Sequence, residues 1–199
     1  MCIHLPFSYK KATQALNFFA QRSGGRINKM KAIKLIFFAD RYHLRKYGRP
    51  ITNDEYLAMG YGPVSSGVKD IAEMSDFLGD TEREYASRFV TPANRYDVES
   101  ILPLDEKVFS HTDLEALAFA WKEFGEYDRF ALADITHKYP EWKRHEPALK
   151  HQTRVRMNYE DFLQDPEDGF EECCSLSPED KEDRLDEIKE MSRLNALWC

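Results

Sequence analysis

The segment from Asn28 to Gly48 constrains the fold of this chain more than any other, because at about 100° per residue its apolar side chains cover most of a helix circumference. Met30, Ile33, Ile36, Phe37 and Leu44 form one side, and Leu35, Phe38 and Tyr42 another. Lys34, Arg41 and Arg45 fall in one narrow strip between them. Wide dry flanks with a thin polar strip mark a helix that other elements pack around, with the strip turned to water. Asp40 is out of place, since the wheel sets it among Ile33, Ile36, Phe37 and Leu44, where a carboxylate needs donors.

The other elements follow from caps and periodicity. Ser8 opens a first helix carrying Tyr9, Ala12, Ala15, Leu16, Phe19 and Ala20 on one arc, and Gly24-Gly25 stops it. After a turn at Arg49-Pro50 and Thr52-Asn53-Asp54, Tyr56 to Tyr61 is a short extended piece broken by Gly60, Gly62 and Pro63. Ser65 or Ser66 caps a third helix with Val68, Ile71, Ala72, Met74 and Leu78 facing inward, ended by Gly79. Tyr85 to Thr91 and Arg95 to Ile101, separated by Pro92-Ala93-Asn94, predict a β-hairpin. Ser110 or Thr112 caps a helix that closes at Gly125, and Asp128 opens another that runs to about Tyr139 before Pro140.

In the tail, Ser177-Pro178-Glu179-Asp180 is a strong helix start, and Ile188, Met191, Leu194 and Trp198 then share one face that must dock somewhere. The expected class is therefore α+β and mainly α-helical, a compact helical domain around a central helix at about 28–47. It has a small inserted β element at about 85–101 and an acidic C-terminal helix at about 178–197. Residues 1–164 form the domain and residues 165–199 an acidic extension.

At 199 residues and 42% hydrophobic, the chain is long enough to bury a core without disulfide or metal support. The net charge is −7, but residues 165–199 hold 12 acidic and 4 basic side chains, so the extension carries −8 and the body +1. This balance makes nucleic acid an improbable partner for the whole surface. No apolar run reaches membrane-span length and the start MCIHLPFSYKK lacks signal-peptide layout, so a cytoplasmic protein is expected. Cys2, Cys173, Cys174 and Cys199 form no C-x-x-C pair and fit incidental reduced thiols.

Several residue constellations bear on chemistry. Gly60-Tyr61-Gly62-Pro63-Val64-Ser65-Ser66-Gly67 precedes a helix, yet Gly67 is followed by Val68-Lys69-Asp70 instead of the Lys-Ser/Thr of a phosphate loop. Pro63 also removes a donor where a dinucleotide would need one, and neither Ser65 nor Ser66 sits in a nucleophile elbow. His137, His145 and His151 are spaced by 8 and 6, which matches no metal motif, so no metal and no cofactor is expected. Asp40 has two readings, a tuned acid or base with His43 or His137 in a small hydrolase-type enzyme, or a structural acceptor for backbone amides or for a tyrosine of the turn near Tyr61. The strip Lys34, Arg41 and Arg45 is the candidate recognition surface, for nucleic acid, for an acidic protein, or for the chain's own acidic tail.

From Lys34 to Glu73 the chain resembles the Panacea, or SocA-like antitoxin, domain. The K-L-x-x-x-A-D-x-x-H-L core appears as Lys34, Leu35, Ala39, Asp40, His43 and Leu44, and the G-R-P-I turn as Gly48 to Ile51. The Y-G-P-V segment is Tyr61 to Val64, followed by Gly67 and Val68, and a later element is Thr136, His137, Pro140 and Trp142. The likeness extends over roughly residues 8–150. It implies an antitoxin of a toxin–antitoxin system, without enzymatic activity, that neutralises a cognate toxin protein by direct binding. Some members are proteolytic adaptors for an ATP-dependent protease, some sit in phage or prophage genomes, and some carry a helix-turn-helix domain that this sequence lacks. The resemblance and the basic strip together make Lys34, Asp40, Arg41, His43, Arg45, Tyr61, Gly62, Pro63 and Trp142 the motif or toxin-binding candidates, Arg41 and Arg45 entering through the strip alone. Asp40, Tyr61, Gly62 and Pro63 would mostly shape the scaffold.

Overall fold

The computed structural model describes residues 5–166 and 175–197. The central helix is α2, Lys29–Tyr47, following α1, Tyr9–Arg22, and a short strand β1, Arg26–Asn28. Asn28 caps α2 by accepting from the Lys31 amide, and Gly48 ends it in the left-handed region at φ 74°. Leu35, Ile36, Phe37, Phe38, Ala39 and Leu44 are all buried on this helix. They pack against α1, α5 (His111–Phe124), α6 (Arg129–Thr136) and the 3₁₀ turn Tyr159–Leu163. Aromatic rings carry much of that contact: Phe38 stacks on Phe124 at 3.9 Å, and Phe37 meets Tyr56, Tyr139 and Phe162 edge-on or tilted.

Two small antiparallel sheets flank the helices. The first has the order β1-β5-β4, with β4 at Val90–Pro92 and β5 at Asp97–Ser100, and Ile27 opposite Val98. The inserted hairpin is thus real but shorter than expected, because Tyr85 to Phe89 belongs to a helix, α4, Asp80–Phe89. Glu82 caps it by accepting from the Gly79 amide at 3.0 Å, and Ala86 and Phe89 face inward at helical spacing. The second sheet, β3-β2-β6, joins β2 (Tyr56–Met59), β3 (Gly62–Ser65) and β6 (Arg154–Arg156), and the sequence indicated only the first of these.

Two helix ends also move from expectation. Helix α3, Ser66–Glu73, stops at Met74, which takes φ 49°, so Leu78 reaches the core from the following loop. Helix α6 stops at Thr136, and α7, Pro140–Lys143, and α8, Glu146–Leu149, follow as single turns. The tail helix α9, Pro178–Ala196, starts where predicted, with Ser177 and Asp180 in a capping box. Its Ile188 is fully buried and Met191 partly so against α2 and the 3₁₀ turn, whereas Leu194 is 51% exposed. Leu185 joins Ile188 and Met191 on the docked face, because the helix presents an arc turned back toward its start, away from Leu194. Trp198, like the four cysteines, lies outside the described residues. No helix among the described residues is long and apolar enough to cross a membrane.

Candidate functional site

The charged residues of α2 define the site region, and their burial is the main departure from the sequence reading. Lys34, Arg41 and Arg45 are each 1% exposed, so the strip expected to face water is covered from end to end. The cover comes from segments remote in sequence that bring acceptors with them. Lys34 Nζ donates to the Pro63 carbonyl oxygen at 2.6 Å. Arg41 Nε donates to Glu141 Oε1 at 2.5 Å and its Nη2 to the Gln164 carbonyl at 2.9 Å, with the guanidinium 4.4 Å above the Tyr139 ring. Arg45 donates to the carbonyls of Phe162 and Gln164 and to Asp165, the first residue of the acidic extension.

The electrostatic cost of this burial appears in the protonation equilibria. Burial lowers the Lys34 ammonium to about 7, and the Pro63 carbonyl to which it donates is neutral. Burial likewise pushes Glu141 above the usual carboxylate range against the pull of Arg41.

Asp40 is a structural acceptor. The Ile51 and Thr52 amides donate to its Oδ1 at 2.7 and 3.0 Å, the Tyr56 hydroxyl donates to Oδ2 at 2.8 Å, and the Thr52 hydroxyl donates to the same oxygen. It therefore pins the loop after α2 to the base of β2. The tyrosine is Tyr56 and not one near Tyr61. Burial raises its carboxyl even so, with the four donors holding it down.

His43 is on another side of the helix and does not meet Asp40. Its Nδ1–H donates to the Arg49 carbonyl oxygen at 2.6 Å, and Nε2 lies 3.0 Å from Thr112 Oγ1 and 3.2 Å from Asp113. Burial lowers its basicity, so the ring is neutral near pH 7. Asp113 gathers Lys11 and Arg49 as well as the Ser110 amide. Burial alone would raise Asp113, but these donors outweigh it and hold the carboxyl low.

The turn motif divides into a buried and an exposed part. Gly62 takes φ 93° beside Lys34, and a Cβ there would run into Lys34 Nζ and Thr136 Oγ1, so glycine is required twice over. Trp142 Nε1 donates to the Met59 carbonyl at 2.9 Å while its ring stacks on His137 at 3.8 Å, which anchors α7 to the same hairpin. Lys34, Gly62, Pro63 and Trp142 thus converge under the hairpin tip. Tyr61 does not join them and stands 66% exposed at that tip. Its ring is 6.3 Å from Phe130, itself 52% exposed, and the Arg129 guanidinium lies 4.7 Å over the Phe130 ring.

Sequence reasoning missed Phe130, Glu141 and Asp54. Phe130 falls off the arc of Leu132, Ala133 and Thr136 that α6 buries, and that periodicity was a usable signal. Asp54 accepts from the Gly67 and Val68 amides at 2.9 and 2.8 Å and so caps α3 from outside, a role with no local signature. Burial raises its carboxyl to about 7.

Residues 33–143 match the family model described as Antitoxin SocA-like, Panacea domain. No curated protein and no solved structure matches the chain. The matched span covers more than half of the chain and contains Lys34, the Asp40 network, the Gly62 turn and the Trp142 anchor, and the chain accordingly belongs to the SocA-like antitoxin, Panacea domain family.

Proposed function

We propose that this protein is the antitoxin of a toxin–antitoxin system, acting in the cytoplasm as a non-enzymatic module that neutralises a cognate protein toxin by direct binding. Family membership supports an antitoxin role. The observation that carries the binding reading is the division within the turn motif: Gly62 and the Pro63 carbonyl are packed on Lys34, while Tyr61 is presented outward next to Phe130 and Arg129. Tyrosine and arginine are the side chains that most often anchor interfaces, and a typical stable interface buries about 1,600 Å² in total. Tyr61 and Phe130 form the centre of the toxin-facing patch, and Lys34, bonded to the Pro63 carbonyl, supports the hairpin tip from beneath.

The test is co-expression with the product of the adjacent reading frame, scoring growth rescue and co-purification. The wild-type chain rescues and forms a complex, and Tyr61→Ala with Phe130→Ala loses both at an unchanged melting temperature. Failure of the wild-type chain to do either removes the reading. A second reading, an adaptor that passes bound toxin to an ATP-dependent protease, is favoured by the exposed apolar end of α9 at Leu194 and Leu197. Leu194→Asp with Leu197→Asp would then abolish toxin degradation while leaving the complex intact.

A further inference from the structure

At the opposite, open end of the β2–β3 hairpin lies a cleft of about 650 Å³. This is within the range of about 300–1,000 Å³ that bound side chains and small ligands occupy. Its floor is apolar, formed by Tyr56, Leu78, Met157 and Phe162, each buried in the fold beneath it. Its walls are acidic: Asp70 on α3 and Glu82 on α4 on one side, Glu160 on the 3₁₀ turn on the other. Among the described residues the one lining cation is Arg156, and it already pairs with Glu55 at 3.2 Å. Asp70 and Glu160 have no ion-pair partner among the described residues, and Glu82 accepts only from the amide that it caps. At the lip the Phe77 ring is 90% exposed, continuing the apolar surface beyond the enclosed volume.

Three unpaired or weakly engaged carboxylates around an apolar floor repel an acidic ligand and leave a neutral apolar one without partners for the walls. A basic amphipathic chain satisfies both, with apolar side chains on the floor and cations toward the walls. The exposed Phe77 favours a chain that leaves the cleft over a small molecule enclosed by it. We propose that this cleft is a second docking site, which takes a short peptide segment of a partner protein carrying one or two large apolar side chains flanked by lysine or arginine. The site is separate from the Tyr61–Phe130 patch and does not depend on it.

The probe is a fluorescein-labelled hexapeptide alternating lysine and phenylalanine, titrated with the full chain and followed by anisotropy. Saturable binding is expected. Asp70→Asn with Glu160→Gln, and separately Phe77→Ser, each weaken it at least fivefold; these side chains are exposed or half-exposed, so thermal melting is unchanged. Versions of the peptide with glutamate for lysine, or serine for phenylalanine, do not bind. Binding that ignores these variants, or that the glutamate peptide shares, overturns the proposal. So does a concentration-dependent dimer that Phe77→Ser abolishes, because a second copy of the chain would then be the occupant. Tyr61→Ala with Phe130→Ala retains peptide binding if this proposal holds, whether or not toxin neutralisation is lost, so the two readings fail independently.

Discussion

Asp40 and Arg45 lie on one helix, are equally hidden from water, and are held in opposite ways. The donors to Asp40 all lie within 16 residues of it, in the loop and strand that directly follow α2, so its network closes as soon as that unit forms. Arg45 donates to Phe162, Gln164 and Asp165, 117 to 120 residues away, and Asp165 is 39% exposed. The local network fixes the hairpin that carries Tyr61 and the cleft. The long-range one ties α2 to the segment after the 3₁₀ turn, where Asp165 also meets Lys181 of α9. One helix thus anchors a hairpin close to it in sequence and a segment more than a hundred residues away.

The sharpest way to break the comparison is Asp40→Ala. It leaves two amides and two hydroxyls unpaired in the core, and at about 1–3 kcal/mol for each unsatisfied buried group, softened by relaxation, a loss on the order of 4 kcal/mol is expected. Urea denaturation measures it, with the midpoint lowered and the slope unchanged. Asp40→Asn keeps one acceptor oxygen and loses less. A midpoint shift under about 1 kcal/mol would show that the network does not hold the hairpin.

This contrast also explains what was legible in the sequence. The central helix, its caps, the tail-helix start and the anomalous position of Asp40 all follow from wheel geometry and nearby residues, and the structure agrees with each. The strip Lys34–Arg41–Arg45 was misread because amphipathicity assigns cations to water unless their acceptors are known. Glu141, Gln164 and the Pro63 carbonyl are supplied only by tertiary folding. Strand β6 failed for a similar reason: Arg154-Val155-Arg156 has the composition of an exposed loop, and pairing with Leu57 to Met59 alone makes it a strand. Asp54 and Phe130 divide in the same way, since the first caps a helix from 13 residues upstream and the second lay off a readable apolar arc.

A smaller effect tests the upper end of the strip. The unfolded Lys34 amine keeps its proton up to 10.5, while the folded one releases it near 7. Between these values the unfolded state carries the extra proton, so raising the pH from 7 to 9 favours the fold, by at most about 1.4 kcal/mol per pH unit. Lys34→Met removes this slope and leaves the rest of the pH profile in place. Parallel profiles for the two proteins in melts at pH 7, 8 and 9 would mean that the amine is charged and solvated inside the fold.

The smallest expected effect lies at the lower end, where Asp165 joins Arg45 of the domain to Lys181 of α9. Asp165→Asn removes the charge but keeps an amide oxygen, Arg45 still donates to the Phe162 and Gln164 carbonyls, and with Asp165 39% exposed the ion pair contributes at most about 1 kcal/mol, so the melting temperature changes little. The consequence is local. Helix α9 is also held by Ile188, fully buried, and by Arg184 donating to the Lys46 carbonyl at 3.0 Å. Apolar docking is insensitive to added salt, whereas the Asp165 bridge weakens as the screening length falls below about 10 Å above 0.1 M salt. Amide hydrogen exchange in α9 of the wild-type chain should therefore accelerate with salt up to the rate of Asp165→Asn, and the variant's own rate should stay flat. If both rates are equal and flat, the Asp165 bridge does not hold α9, and its apolar face with the Arg184–Lys46 hydrogen bond does.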